Sequence, residues 1–527
     1  MLNNMKKNSV KEFSKVIKEK YYNTSIQSKL AFIITAIMVF ITHIIYFVNR
    51  WANEDDFHSF VSQSNMIGSG RWMIGDILSS NFLSPIVLLF IVIIFVGLMS
   101  SMIVNIFNIN KKINVAIVSA LMSTFPILAM GFGYGFMVER YTMGMFFAVL
   151  AVYVTNKNKY KISPLIGAIC LAISMGYYQS YVAITIGLVI LSVIEYLHEN
   201  DTKECLKYVL KYLFMGIIGI IIYMLMVRVV CYVTGISLLD YKGINNMGKL
   251  PPLSEFVPLL KRTYLDFVYF FLGKKFISPL WYGKIAQYLI CLSIIVLLPY
   301  RIIKEKIYKN KINLLIIILF LICVPLGFNI VDFIAYESET STLNIFQFVF
   351  IFMIPFIILD KISIKDNLIN ISTWLIAISG LFLVYNNFVV TNIYYLKIND
   401  YYNTTVQLTN RLYNRIEQYD EFDFSKPVFV GNREGIYMNS RVYKDYYKIF
   451  LYDQGLWDQF IGYAPRPTTT DFKFHYLVQN IIGVNLISPS PDFYKEIYNS
   501  KEYDEMESWP NKESMKYIDG VLVVKIS

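Results

Sequence analysis

Charge is what this chain has least of. Asp, Glu, Lys and Arg make up 16% of its 527 residues, against 56% hydrophobic ones, where a soluble domain carries about a quarter charged. That scarcity excludes an ordinary water-soluble fold. The apolar residues gather in runs long enough to cross a bilayer core of about 30 Å. Cysteine is almost as scarce: Cys170, Cys205, Cys231, Cys291 and Cys323 lie in or beside apolar segments, and none follows residue 392. A disulfide framework and a CxxC metal site are therefore excluded. No phosphate-cradling glycine loop is present, since Gly431-Asn-Arg-Glu-Gly435 has neither the spacing nor the Lys-Ser/Thr ending. There are no internal repeats and no low-complexity tracts.

What is present is a polytopic membrane protein. The formal net charge is +10, but from Asn392 onward there are 15 Lys/Arg against 18 Asp/Glu, so residues 1–391 carry 33 basic against 20 acidic groups. Basic residues that flank membrane helices orient the chain rather than bind a polyanion. Nucleic acid is not an expected partner; the lipid bilayer is.

Three regions follow. Residues 1–29 form a cytoplasmic basic tail with seven lysines and no arginine, in which Val10, Phe13 and Ile17 sit at helical spacing; such a helix suits an anionic leaflet. Residues 30–391 form the transmembrane domain. Leu30–Val48, uncharged and with no small-residue cleavage site after it, reads as a retained first span. Further spans are expected near 82–106, 113–133, 140–155, 162–176, 180–197, 209–233, 281–299, 313–331, 343–359 and 368–391, with the fourth and fifth short for a crossing. With the N-terminus cytoplasmic, the inside segments hold 22 Lys/Arg and the outside loops 9, as the positive-inside bias requires. An odd number of spans then places residues 392–527 outside, as an extracytoplasmic α/β domain. The fold class is thus an all-α polytopic membrane domain of about eleven helices followed by a small α/β domain, in a multi-pass cell-membrane protein.

In the external loop 234–280, Phe256, Leu259, Leu260, Thr263, Phe267, Phe270 and Phe271 repeat at helical spacing between Pro251-Pro252 and Gly273. These predict an amphipathic helix at the outer interface, either a prop or a gate beside a lipid substrate. In the last domain 403–419 reads as helix, 426–432 and 520–526 as strands, 484–487 as a further strand and 491–500 as helix. A Gly/Tyr/Pro-rich stretch runs near 455–470.

Ionisable groups at the lip of a membrane domain are functional candidates by default. The first cluster is Asp55-Asp56-x-His58 with Gly70-Arg71-Trp72. The second is the Gly131–Tyr141 stretch with Glu139 and Arg140, and the third is Tyr177-Tyr178-Gln179-Ser180. Arg228, near the outer end of its span, and Glu337 and Glu339, before the tenth, complete the set. Each has a plainer reading. Glu139-Arg140 could be a self-satisfied ion pair, Arg228 a snorkelling anchor, and Tyr177-Tyr178 belt aromatics. His58 lacks His or Cys partners and reads as a bystander. Together, carboxylates and guanidiniums in successive external loops make a set that can take a proton from a hydroxyl and stabilise a departing phosphate. That chemistry moves a sugar from a lipid phosphate to an acceptor.

An external loop after span one with Asp55-Asp56 and then Gly70-Arg71-Trp72, followed by Tyr178-Gln179 after span five, resembles the bacterial O-antigen-type membrane glucosyltransferases, a family of the GT-C superfamily. The resemblance covers the membrane part and hardly touches the last 136 residues. It implies an inverting hexosyltransferase that uses a polyprenyl-phosphate-linked sugar, with glucose the expected hexose and a surface polysaccharide or wall glycan such as teichoic acid the acceptor. It further implies Asp55 or Asp56 as the catalytic or metal-binding acid, with Glu139 as the second acidic position. The expected roles are Asp56 as base or metal ligand with Asp55 and Glu139 in support, Arg71, Arg140 and Arg228 toward the donor phosphate, and Trp72, Tyr178 and Gln179 toward the sugar. A divalent cation, Mg or Mn, would be held by Asp55, Asp56 and Glu139. The loop before span ten lacks an arginine, which leaves Lys274 and Lys275 as further phosphate partners. The alternatives are a lipid-linked glycan flippase, which needs mid-membrane ionisable groups and a repeat between halves, and a non-catalytic scaffold with an external glycan-binding domain.

Overall fold

The computed structural model describes residues 24–49, 51–52, 56, 63–73, 83–157, 162–199, 201–239, 251–277, 279–337, 341–362, 367–432 and 470–527. Asp55, His58, Glu339 and the 455–469 stretch lie outside these. The described residues fall in two compact units. One comprises residues within Met1–Val48, Gln63–Gly131 and Met137–Asn392, the other residues within Asn49–Ser62, Phe132–Phe136 and Ile393–Ser527.

The first unit is helical. Its helices are α1 (Ile26–Asn49), α2 (Pro85–Ile106), α3 (Lys112–Thr124), α4 (Pro126–Phe132), α5 (Val138–Asn156), α6 (Ser163–Tyr177), α7 (Val182–Glu199), α8 (Thr202–Thr234), α9 (Leu253–Phe271), α10 (Trp281–Lys304), α11 (Lys311–Phe328), α12 (Val349–Lys361) and α13 (Asn367–Glu417). Among the described residues nine helical stretches are long and apolar enough to cross a membrane. Eleven spans were expected. The fifth is α6, with 15 residues, and the tenth is α12, with 13, each short of the roughly 20 that a full crossing takes. The fourth, with its leading 3-10 turn, reaches 22 residues over Gly135–Asn156.

The deepest span is broken in its middle. Phe125, ahead of Pro126, is extended at φ −60°, ψ 122°, because a proline ring crowds the helical conformation of the residue before it. The helix ends there, and its last carbonyls need donors from elsewhere. His43 Nε2 lies 2.9 Å from the Ser123 carbonyl, and Thr391 Oγ1 donates to the Thr124 carbonyl at 3.3 Å.

The amphipathic helix α9 forms where the spacing put it, and its apolar face is packed rather than bare. Phe270 stands edge-on to Phe348 with ring centroids 4.9 Å apart, and Phe271 to Phe352 at 5.2 Å; such pairs add about 0.5–1.5 kcal/mol each beyond area burial. Gln287 Nε2 on α10 donates to the Phe270 and Phe271 carbonyls, which takes up the free C-terminal acceptors of α9.

Helix α13 runs for 51 residues, where a span at 368–391 and a separate helix at 403–419 were expected. No Pro or Gly occurs between Gly380 and Pro427, so nothing in the chain interrupts it.

The second unit contains the α13 residues from Ile393 onward, a three-stranded sheet, and short helices including α14 (Asp471–Leu477) and α15 (Pro491–Glu496). Strand β1 (Val428–Gly431) pairs in parallel with β3 (Val521–Lys525), which pairs antiparallel with β2 (Met515–Ile518). Alternation sends Val428, Val430, Leu522 and Val524 to one face, against Leu408, Leu412 and Ile416 of α13 and Phe474 of α14. Phe429 and Val523 face the other way, onto Ile497 and Tyr503. Residues 484–487 are not a strand; Val428 N–H donates to the Ile487 carbonyl at 2.9 Å.

Candidate functional site

The turn after the short helix Gln63–Gly68 is shaped by one glycine. Gly70 has φ +76°, and a Cβ there would lie 2.8 Å from Gln179 Nε2 and 2.9 Å from Tyr223 Oη. Only glycine accepts both the left-handed backbone and that approach. Gln179 Nε2 donates to the Ser69 carbonyl at 2.6 Å, Tyr223 Oη to the Gly70 carbonyl at 3.2 Å, and Met73 N–H to the Gly176 carbonyl at 3.1 Å. The turn is thus tied to α6, to the 3-10 turn that follows it, and to α8.

Fixed in this way, Arg71 lies with its guanidinium carbon 4.9 Å from the centroid of the Tyr178 ring, a cation–π contact of about 0.5–2 kcal/mol depending on desolvation. Arg71 Nη1 also approaches the Met66 sulfur at 3.7 Å, and a guanidinium stacked on a ring is a planar fork of donors. Trp72 packs so closely on Gly176 that a Cβ there would come within 2.6 Å of the indole ring. The buried Trp72 Nε1 has no hydrogen-bond partner, which is a cost unless something supplies an acceptor. Tyr178 is extended at φ −158°, ψ 115° between α6 and the 3-10 turn, and its hydroxyl donates to Asn344 Oδ1 at 3.1 Å.

Glu139 and Arg140 sit in the first turn of α5. Both are buried, 2% and 9% exposed, with Arg140 Nε 3.4 Å from Glu139 Oε1. This is not a solvated surface pair, and the helix N-terminus favours the carboxylate. The next residue, Tyr141, stands edge-on to Tyr178 at 5.2 Å, so the α5 start and the Arg71 turn share one aromatic ring. Tyr177 feels the charges of both Glu139 and Arg140.

Asp56, described in the second unit, is half-buried. Its Oδ1 accepts from Phe136 N–H at 3.2 Å, so within the second unit Asp56 meets the Phe132–Phe136 segment. Gly133 fits because a Cβ there would collide with the Tyr394 hydroxyl, and Tyr394 lies within electrostatic reach of Asp56.

The first unit brings together Arg71, Trp72, Tyr178 and Gln179, with Glu139-Arg140 joined through Tyr141. It does not bring in Arg228. Residues Cys205, Tyr208, Tyr212, Met215, Gly219, Tyr223 and Val227 form the buried stripe of α8, and Arg228 is exposed off that stripe, beside Leu225 and Val229. Lys275 is committed to Asp266, with both carboxylate oxygens at 2.6 Å; Lys274 and Glu337 are exposed. Sequence reasoning assigns no role to Tyr141, Tyr223, Asn344 or Tyr394. A lone tyrosine inside the apolar run of α8 is the visible sign of the second. Among the described residues no group of three or more His, Cys, Asp or Glu could hold a metal ion.

No curated protein and no solved structure matches the chain. The profile of the family described as glucosyl transferase GtrII matches residues 44–359, which span the loop after α1, the α5 start, the Arg71 turn and helices α2 to α11. The chain belongs to the GtrII glucosyl transferase family.

Proposed function

We propose that this protein transfers glucose from a polyprenyl-phosphate donor to a surface polysaccharide or wall glycan on the extracytoplasmic side, with inversion at the anomeric carbon. The observation that carries the reading is the Gly70–Trp72 turn, which holds a guanidinium face-on to Tyr178 beside an indole N–H that lacks an acceptor. A phosphate-bearing sugar offers both of them oxygen atoms.

In the reaction the acceptor hydroxyl attacks C1, the C1–O bond to phosphate breaks, the phosphate leaves with the electron pair, and the hydroxyl proton passes to a carboxylate. Asp56 is the base, with Asp55 beside it in the chain. Arg71 neutralises the charge that grows on the phosphate, and Arg140, oriented by Glu139, is the second cation. Trp72 and Tyr178 present aromatic surface and a donor to the sugar. Gln179, already bonded to Ser69, positions the turn. Arg228, on an exposed apolar helix face, suits an anchor at the headgroup level.

The test is transfer of labelled glucose from polyprenyl-phosphate-glucose in membranes that contain the full chain. Asp56→Asn lowers the rate by about 10²–10⁴-fold at unchanged protein level. Full activity in Asp55→Asn/Asp56→Asn would remove the acid from the mechanism, and transfer from a nucleotide sugar alone would overturn the donor.

A further inference from the structure

At the end of the first unit where α10 and α11 join, three helices contribute to a charged network that the transfer chemistry does not use. Arg301 on α10 has a side chain only 2% exposed. It donates to both oxygens of Glu195 on α7, at 2.6 and 3.0 Å, and to Glu305 at 2.8 Å. Lys361 on α12 lies 4.0 Å from Glu195. Two carboxylates and two cations balance, and the fork of Arg301 is occupied on both edges.

The fifth member is His198, whose side chain is 1% exposed. Its Nδ1 is 2.7 Å from Glu305 Oε2. A carboxylate that already accepts from Arg301 accepts here as well, so Nδ1 carries a proton, and the neutral form of the ring is then the Nδ1–H tautomer. That leaves Nε2 as a buried acceptor, and it has no hydrogen-bond partner. Such an atom costs free energy until a donor reaches it.

His198, Glu195 and Arg301 line one part of a cavity of about 230 Å³ whose remaining lining residues are apolar. Ile294, Leu298 and Arg301 line it from one face of α10, and Leu191, Ile194 and His198 from one face of α7, both at i, i+3/i+4, i+7 spacing. Helix α10 packs on α12 and α11 packs on α7, so the two outer helices seat on different partners and the apolar space lies between them. Phe267 of α9 lines it as well. Leu292 and Ile295 of α10, turned away from the cavity, are exposed, as befits a helix at the rim of a membrane bundle.

We propose that this cavity binds one aliphatic chain with a neutral hydroxyl terminus, a long-chain alcohol or glyceride of the bilayer, whose O–H donates to His198 Nε2. The walls suit the chain, the lone acceptor suits a hydroxyl, and the balanced network gives an anionic headgroup no net attraction. The site is separate from the Arg71 turn and from the donor assigned above.

The test uses the full chain in lipid nanodiscs and a hexadecan-1-ol probe with a diazirine in its chain. Labelling is expected on cavity-facing residues such as Ile294, Leu298 and Leu321. Unlabelled hexadecan-1-ol should displace it at about five- to tenfold lower concentration than hexadecane, the size of one net hydrogen bond, and lower than hexadecanoic acid or hexadecyl phosphate. His198→Phe should erase the preference for the alcohol. Leu298→Trp, which fills the cavity without touching the network, should abolish labelling and decides the matter if His198→Phe fails to fold. Labelling confined to exposed positions such as Leu292 and Ile295, equal displacement by hydrocarbon or by the anions, or an alcohol preference that survives His198→Phe overturns the proposal.

Discussion

Arg71 and Arg301 belong to the same helical unit and are held in opposite ways. Arg301 is locked edge-on between two carboxylates and almost fully buried. Arg71 is half-buried, follows the left-handed turn at Gly70, and meets an aromatic face. An arginine saturated by carboxylates contributes to the fold and has little left for a ligand. One that stacks on a ring at the candidate site presents the planar kind of donor that pairs with a phosphate. The difference teaches that, in a membrane bundle, the partner of a guanidinium says more about its work than its burial does.

The comparison can be broken most strongly at Arg301. Arg301→Ala leaves Glu195 and Glu305 facing each other without their shared cation, and is expected to cost about 3–5 kcal/mol of stability, read as a lowered melting temperature in detergent. If Arg301→Ala melts like the parent while Arg71→Ala does not, the two roles are exchanged. Arg71→Lys sharpens the other side. It keeps the charge but loses the fork and the face contact, so glucose transfer should fall by about tenfold or more with the melting temperature unchanged; equal kcat/KM would place Arg71 outside the phosphate's reach. Gly70→Ala tests the turn beneath it. Left-handed backbone and contact with Gln179 and Tyr223 together cost about 1–2 kcal/mol, and activity should fall because Arg71 shifts.

The smallest effect lies in the second unit. His475 is pulled down by burial, but the hydrogen bond and charge of Asp471 and the Val428 and Leu486 carbonyls outweigh this and raise its pKa above 6.5. The protonated form is the one that the fold favours. Its contribution is complete below pH 6.5 and is lost as the pH climbs through the raised value. A shallow loss of stability over that window is expected, and it should flatten in His475→Gln.

Much of the fold is legible in the residues. Length and apolarity locate the spans, the 3–4 spacing of Phe267, Phe270 and Phe271 gives α9, and β-branched runs give β1 and β3. What escapes is what composition leaves unmarked. The join that makes α13 continuous is polar, and only the lack of Pro and Gly shows it. Strand β2 escapes as well, although Asp519-Gly520, at φ 48° and 80°, is the two-residue turn that pairs β2 with β3. For the candidate site, Gly70-Arg71-Trp72 and Tyr178-Gln179 carry recognisable chemistry, but Tyr223 and Asn344 come from distant helices and loops. The Glu195–Arg301 pair is 106 positions apart and no local pattern announces it.

The break at Pro126 has a genetic consequence. His43 in α1 and Thr391 in α13 are useful there because the interrupted helix offers the Ser123 and Thr124 carbonyls. A change of Pro126 to a helix-forming residue would close the ladder over those carbonyls and take both acceptors away. Substitutions of His43 and Thr391 that are costly beside Pro126 would then become nearly silent. Three positions on three separate helices form one epistatic group, and change in any of them is conditioned on a ring that lacks an N–H.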